Sequence, residues 1–396
     1  MISKEIIASL ETRWFMSSMA TGAVGILWTK IALFLHIDWI NTGGIVLLGL
    51  AFLFFLSATI GYLWRVLTFP DAVQKDFSHP GTSKFFAGIS ISLAILSTGI
   101  STVFVPQGIL SPFLGMYGAG ILYVISLLLG LFFLVSICSM TIRSDITEIK
   151  HAIGVCLLPP VGVFVNVFAG NFFAQIFLPG TLLATVIGWI HFFLLGLLIM
   201  LTGFVLTFIL FRLKFSPLPQ KEMSPSFFIP LAPVGVAIIA LVSLLPLLSP
   251  ELPYKSILDL FLHLLIPALL AFGFFWFLIA LSVMWQYIRT EGIPYTLGFW
   301  ALVFPPAAIG VGTFTAAQFL VGMQFLAWIG IFWGVVSTLL LIFVMSRTIH
   351  SIFTGKAFLR PKCLRNQPSQ KGNKILSAVP LPENKSLLLS LVFRQR

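Results

Sequence analysis

The sequence is short of charge. Of its 396 residues only 9% are Asp, Glu, Lys or Arg, while 59% are hydrophobic. Soluble domains carry about a quarter charged residues, so a water-facing shell cannot be built from this chain. Acidic residues are the scarcer sign, 12 against 23 Lys and Arg. None sits in the middle of a long apolar run: Asp38, Glu251 and Asp259 stand at run ends. This excludes a carboxylate proton relay and removes the negative rings that cation pathways use. Cysteine is nearly missing too. Cys138, Cys156 and Cys363 show neither paired nor metal-type spacing, which argues against disulfides and excludes a zinc site. No HExxH, CxxC, GxSxG or Walker-type loop occurs, so no enzyme, cofactor or metal is expected.

What the chain has is length of apolar run. Its mean hydropathy is +1.06, and stretches of about twenty apolar residues, enough to cross a bilayer, recur along nearly its whole length. Ten spans are predicted, at 14–36, 41–63, 85–105, 113–141, 153–177, 181–211, 227–248, 259–287, 295–319 and 323–346. The first is too long for the apolar core of a signal peptide and no small-residue cleavage site follows it, so it is read as a helix of the mature protein. The fold class expected is all-α and polytopic. Residues 1–13 form a short N-terminus, 14–346 a ten-helix membrane domain and 347–396 a basic tail, expected to be disordered.

Charge placement gives orientation. The connections at 64–84, 142–152, 212–226 and 288–294 are charged, while those between them, such as Pro106-Gln107-Gly108 and Leu178-Pro179-Gly180, are short and almost uncharged. One side then collects 21 of the 23 basic residues, leaving only Lys30 and Lys255 toward the other. The positive-inside rule makes that side cytoplasmic and places both termini there; the membrane expected is a bacterial inner one. The net charge of +11 is mostly a tail property: from Arg347 onward there are ten Lys and Arg and one acid, Glu383. Such a tail suits anionic lipid headgroups, and no nucleic-acid partner is implied.

The odd spans share a weak repeat. Pro160, Pro233 and Pro306 are each 73 residues apart, with Gly162, Gly235 and Gly310 close behind; Pro305 precedes the last proline. The first and third spans carry small residues instead, Gly22, Gly25 and Gly88. Proline removes a backbone donor and bends a helix, and the freed polar groups must be buried in protein or face a water-filled path. These prolines and glycines are therefore expected to line a pore or kink its helices. The alternative, that they only let helices pack closely, stays open. The even spans are nearly all Leu, Ile, Phe and Val, which suits an outer layer.

Met-Ala-Thr-Gly at 19–22, His79-Pro80 ahead of Phe85-Phe86, the proline-bearing fifth and seventh spans, and Gly-Phe-Trp-Ala-Leu-Val-Phe-Pro at 298–305 together carry a family resemblance. Over residues 10–350 the chain resembles the tellurite-resistance/dicarboxylate transporter family, which includes plant slow anion channels, yeast malate permeases and fungal sulfite efflux pumps. The resemblance implies five helical hairpins in quasi-fivefold arrangement around a central pore lined by the odd helices, in subunits that associate as homotrimers. It also implies a phenylalanine gate on the ninth helix, which falls on Phe304. The Pro305-Pro306 pair bears on how that ring is aimed.

The expected function is passage of small anions by a channel; a secondary carrier for C4-dicarboxylates such as malate, or for sulfite efflux, is the alternative. A carrier of dicarboxylates favours paired cations, best arginines, and no arginine lies in mid-span. Lys30, about 24 Å along the first helix at 1.5 Å per residue, either draws anions into an outer vestibule or snorkels to the headgroups. His191 and His263, on even helices, are read as packed and hydrogen-bonded rather than gating.

Overall fold

The long helices follow the apolar runs of the sequence. The computed structural model describes residues 4–79, 81–143, 152–248 and 255–355. Its ten membrane-length helices are α1 (Thr12–Leu35), α2 (Asp38–Thr68), α3 (Ser83–Phe104), α4 (Pro112–Met140), α5 (Gly154–Phe177), α6 (Leu182–Phe215), α7 (Lys221–Leu247), α8 (Lys255–Thr290), α9 (Leu297–Phe319) and α10 (Phe325–Phe353). The expected all-α polytopic fold is what the described residues form. In the short uncharged turns Gly108, Gly180 and Gly322 take φ of 70°, 71° and 87°, a left-handed conformation that glycine adopts without strain. We call that end the turn end and the other the basic end.

The spans sort into two layers by burial. Between 72% and 94% of the apolar window of each odd helix is buried, against 17% to 33% for each even helix. In the inner layer α1 packs on α3, α3 on α5, α5 on α7, α7 on α9, and α9 back on α1. The outer helices lie over this closed order, each against the odd helix that precedes it. Their outward faces are large and apolar, for example Leu53, Phe193, Leu264 and Phe275. In water such faces would aggregate; against lipid tails they cost nothing.

Close approach explains the small residues. A Cβ on Gly25 would stand 2.9 Å from the Gly44 carbonyl oxygen, and one on Gly235 would meet the Ala308 backbone at 2.3 Å. Gly22 faces Ile95 at 2.7 Å and Gly310 faces Leu27 at 2.7 Å on the same construction. Gly25 and Gly235 thus let helix backbones touch, while Gly22 and Gly310 make room for a neighbour's side chain; such close packing substitutes in lipid for a hydrophobic driving force.

The prolines behave differently from one another. The α-helical part of α5 is Leu158–Phe177 and that of α7 starts at Leu231. Pro160 and Pro233 therefore lie in first turns, where a missing N–H leaves no bond unmade. They stand near the starts of the α-helical parts rather than in their interiors. Pro305 and Pro306 lie inside the regular helix Trp300–Phe319 and leave the Ala301 and Leu302 carbonyls without their usual donors.

The shared element of the odd helices is instead a 3₁₀ turn at the basic end. It covers Thr12–Trp14, Ser83–Phe86, Gly154–Leu157, Lys221–Phe228 and Leu297–Phe299. Each turn packs on the next in the same closed order as the helices. The Arg13 guanidinium lies 4.9 Å from the centre of the Phe85 ring. The Trp276 indole N–H donates to the Phe227 carbonyl at 2.8 Å, tying α8 to this ring.

The even helices run further toward the basic end than their apolar runs suggest. Arg65, Arg212, Lys214 and Arg289 are helical, and α10 continues to Phe353. Part of the connection at 64–84 is a separate helix, Pro70–Ser78, whose Asp76 pairs with the buried Arg65. Pro80, the connection from 144 to 151, Glu251 and the tail from 356, with Cys363, lie outside the described residues.

Candidate functional site

The axis of the inner ring is not solid. A narrow cavity, with room for about 30 Å³ of solvent, runs between the five odd helices and is lined by all of them. That is space for two or three waters, since one water needs about 10–15 Å³ of such volume. Each helix contributes one face at helical spacing: Ala23, Ile26 and Lys30 from α1; Ile95, Thr98 and Thr102 from α3; Phe168 and Phe172 from α5; Val236 and Ile239 from α7; Phe304, Ala308, Val311 and Thr315 from α9. These offsets of three, four and seven keep side chains on one side of a helix.

Phe304 is the lining residue of α9 nearest the basic end, and it is only 2% exposed. Beyond it lie the packed 3₁₀ turns. The Pro305-Pro306 pair that follows has not turned the ring away from the axis. Since α9 loses two backbone bonds just there, the ring sits on the least braced turn of its helix.

Polar character is confined to the half nearer the turn end. Thr98 donates its hydroxyl to the Ala94 carbonyl at 2.8 Å, Thr102 to Thr98 at 2.7 Å and Thr315 to Val311 at 2.9 Å. Thr102 belongs to a π-helical turn, Ile100–Phe104, where α3 widens beside the cavity; such turns cluster at functional sites. Lys30 lines the cavity and also a wider bowl of about 510 Å³ at the turn end, which includes His36, Gln318 and Gln324. Its side chain lies on the same face of α1 as Ala23 and Ile26, directed inward rather than to lipid.

Of the residues singled out in the sequence, the structure brings Phe304 and Lys30 to this cavity. Gly22, Gly25, Gly235 and Gly310 stand at helix contacts. Gly88 and Gly162 have looser surroundings, with Met16 and Ile91 at 3.5 Å from a constructed Cβ. Pro160, Pro233, Pro305 and Pro306 shape helix backbone beside the lining. Lining residues such as Ile95, Phe168 and Val236 were not singled out; among so many apolar residues, only their offsets on odd helices mark them.

His191 is buried and bonded, as its sequence context suggested. Its Nε2 lies 2.9 Å from the Tyr123 hydroxyl and its Nδ1 2.7 Å from Asn171 Oδ1. Asn171 in turn donates to Ser243 at 3.0 Å. The chain of bonds joins α4, α6, α5 and α7, fastening the outer layer to the inner ring. His263 is partly exposed, with its ring 4.9 Å from that of Phe319.

Comparison with known proteins decides the family. A profile of the voltage-dependent anion channel family matches residues 9–349, nearly the entire chain. This chain belongs to that family. Two proteins named uncharacterized transporters, both from Methanocaldococcus jannaschii, are similar along almost their full lengths. One is 24% identical over 367 residues, covering 89% of this chain and 97% of its own. The other is 25% identical over 371 residues, covering 89% and 96%. With ten apolar helices, membership of this channel family identifies an integral, multi-pass membrane protein of an anion channel or transporter type.

Proposed function

We propose that the central cavity is the anion path, that Phe304 closes it, and that the protein conducts small anions as a channel. The observation carrying this reading is the cavity itself: five inner helices contribute to one lining of apolar and hydroxyl side chains in which, among the described residues, the one charged side chain is a lysine. A benzyl ring across a narrow apolar path blocks by size and by expelling water. An anion stripped of its hydration there pays several kcal/mol unless polar groups replace the lost shell, so no charged gate is required. Carriage of C4-dicarboxylates is disfavoured because the lining offers one cation for two carboxylates.

The same reading has both termini at the cytoplasmic face, the five hairpins related by a quasi-fivefold axis, and three subunits joined through their apolar outer faces. Reporter fusions after residues 110 and 396 are then expected in opposite compartments. Native mass spectrometry in detergent is expected to give a trimer. The experiment that tests the function is a reversal-potential measurement in planar bilayers. Reversal that follows a chloride gradient supports the reading, and reversal that follows a potassium gradient refutes it.

A further inference from the structure

Lys30 is the single charge on the cavity, and its ammonium group has no hydrogen-bond or ion-pair partner among the described residues. The ammonium is not sealed off, because Lys30 is half-buried and borders the wide bowl. Proteins normally bring a carboxylate to such a group; here no acidic side chain among the described residues lines the cavity or the bowl. The other polar groups of the cavity do not compensate. Thr98, Thr102 and Thr315 have each given their proton to a carbonyl one turn back, so they offer the axis lone pairs only. An anion arriving there finds one donor.

We propose that Lys30 binds the permeating anion at the junction of bowl and cavity and sets the charge selectivity of the path. The inference rests on the reading of that cavity as the anion path, and it makes Lys30 a specificity residue distinct from the gate. The position fits the task. One side chain borders both spaces, so its charge attracts anions from the bowl and repels cations before they reach the narrow part. Gln318 and Gln324, on the wall of the bowl, supply neutral amide groups where an anion gives up its outer water.

The test uses the full chain in planar bilayers under a potassium chloride gradient, in parent and Phe304→Ala backgrounds. Lys30→Met is expected to lower the chloride-to-potassium permeability ratio about tenfold or more, whereas Lys30→Arg keeps it near the parent's. An unchanged ratio in Lys30→Met overturns the proposal. Lys30→Gln serves if the methionine variant fails to assemble. Bromide-soaked crystals give a readout that does not depend on flux. An anomalous peak within hydrogen-bond reach of Lys30 Nζ, lost in Lys30→Met, supports the site, and a parent crystal without that peak overturns it. Bromide bound at Lys30 in a protein that passes no anion current would sink the path reading while keeping the binding site, so the two failures are distinguishable.

Discussion

The inner and outer helices are both apolar and do opposite jobs. The odd helices are buried nearly all round, touch one another through glycine, and leave a thin axial gap. The even helices bury one side and give large aliphatic and aromatic surfaces to lipid. Four of the five odd helices are also less hydropathic than every even helix, α7 being the exception. Small and hydroxyl-bearing residues replace large aliphatic ones in the inner layer, because backbone approach in lipid requires small side chains while lipid contact requires none.

The largest effect expected from breaking this contrast is at Gly235. A side chain there must displace the backbone of α9, 2.3 Å from the site of a Cβ. Gly235→Leu is expected to abolish a monodisperse peak in detergent chromatography. Gly203→Leu on α6, where nothing lies within 4 Å, is expected to leave the peak and the melting temperature unchanged. Equal tolerance at both positions would remove the distinction between the layers.

A smaller effect is expected from the bonds between layers. His191→Ala strands the Tyr123 hydroxyl and the Asn171 amide, at a cost of about 1–3 kcal/mol for buried groups left unsatisfied. It should show as a clear drop in thermal stability, and Asn171→Ala should lower it further, since the Asn171 amide N–H groups also donate to the Ala240 carbonyl and to Ser243. The smallest is Trp28→Phe. It removes one bond, from the indole N–H to Thr338 at 2.8 Å, and bonds of this kind between membrane helices average about 0.6 kcal/mol. A shift near the limit of a detergent melt is expected; a loss as large as that of His191→Ala would mean that Trp28 does more than fasten α1 to α10.

Much of the architecture is legible in the sequence because hydrocarbon thickness fixes span length. All ten helices fall within several residues of the apolar runs. The most displaced ends lie at the basic end, where even helices run on past Arg65 and Arg212 although the apolar run has ended, and where α7 starts at Lys221, ahead of its apolar run. The prolines are ambiguous for a different reason. Pro160 and Pro233 read as kinks if the helix starts with the apolar run, but a 3₁₀ turn comes first and moves the α-helical start up to them. The true repeat, five such turns opening on large apolar pairs such as Phe85-Phe86 and Phe227-Phe228, has no single diagnostic residue. The glycines were ambiguous in principle, since close packing and pore lining both demand small residues. Lys30 and Phe304 were recognisable, one as a charge where charge is rare and the other through resemblance. Thr98, Ile239 and their neighbours required the structure.

The account turns on Phe304. Anion flux through Phe304→Ala should exceed the parent's by about tenfold or more, since a barrier lowered by 1.4 kcal/mol already gives that factor. Phe304→Leu should fall between them. Phe275→Ala, on the lipid face of α8 where the ring is 58% exposed, should leave flux unchanged. A Phe304→Ala protein that assembles like the parent and conducts no better would contradict the account and leave Phe304 as a packing residue of the inner ring.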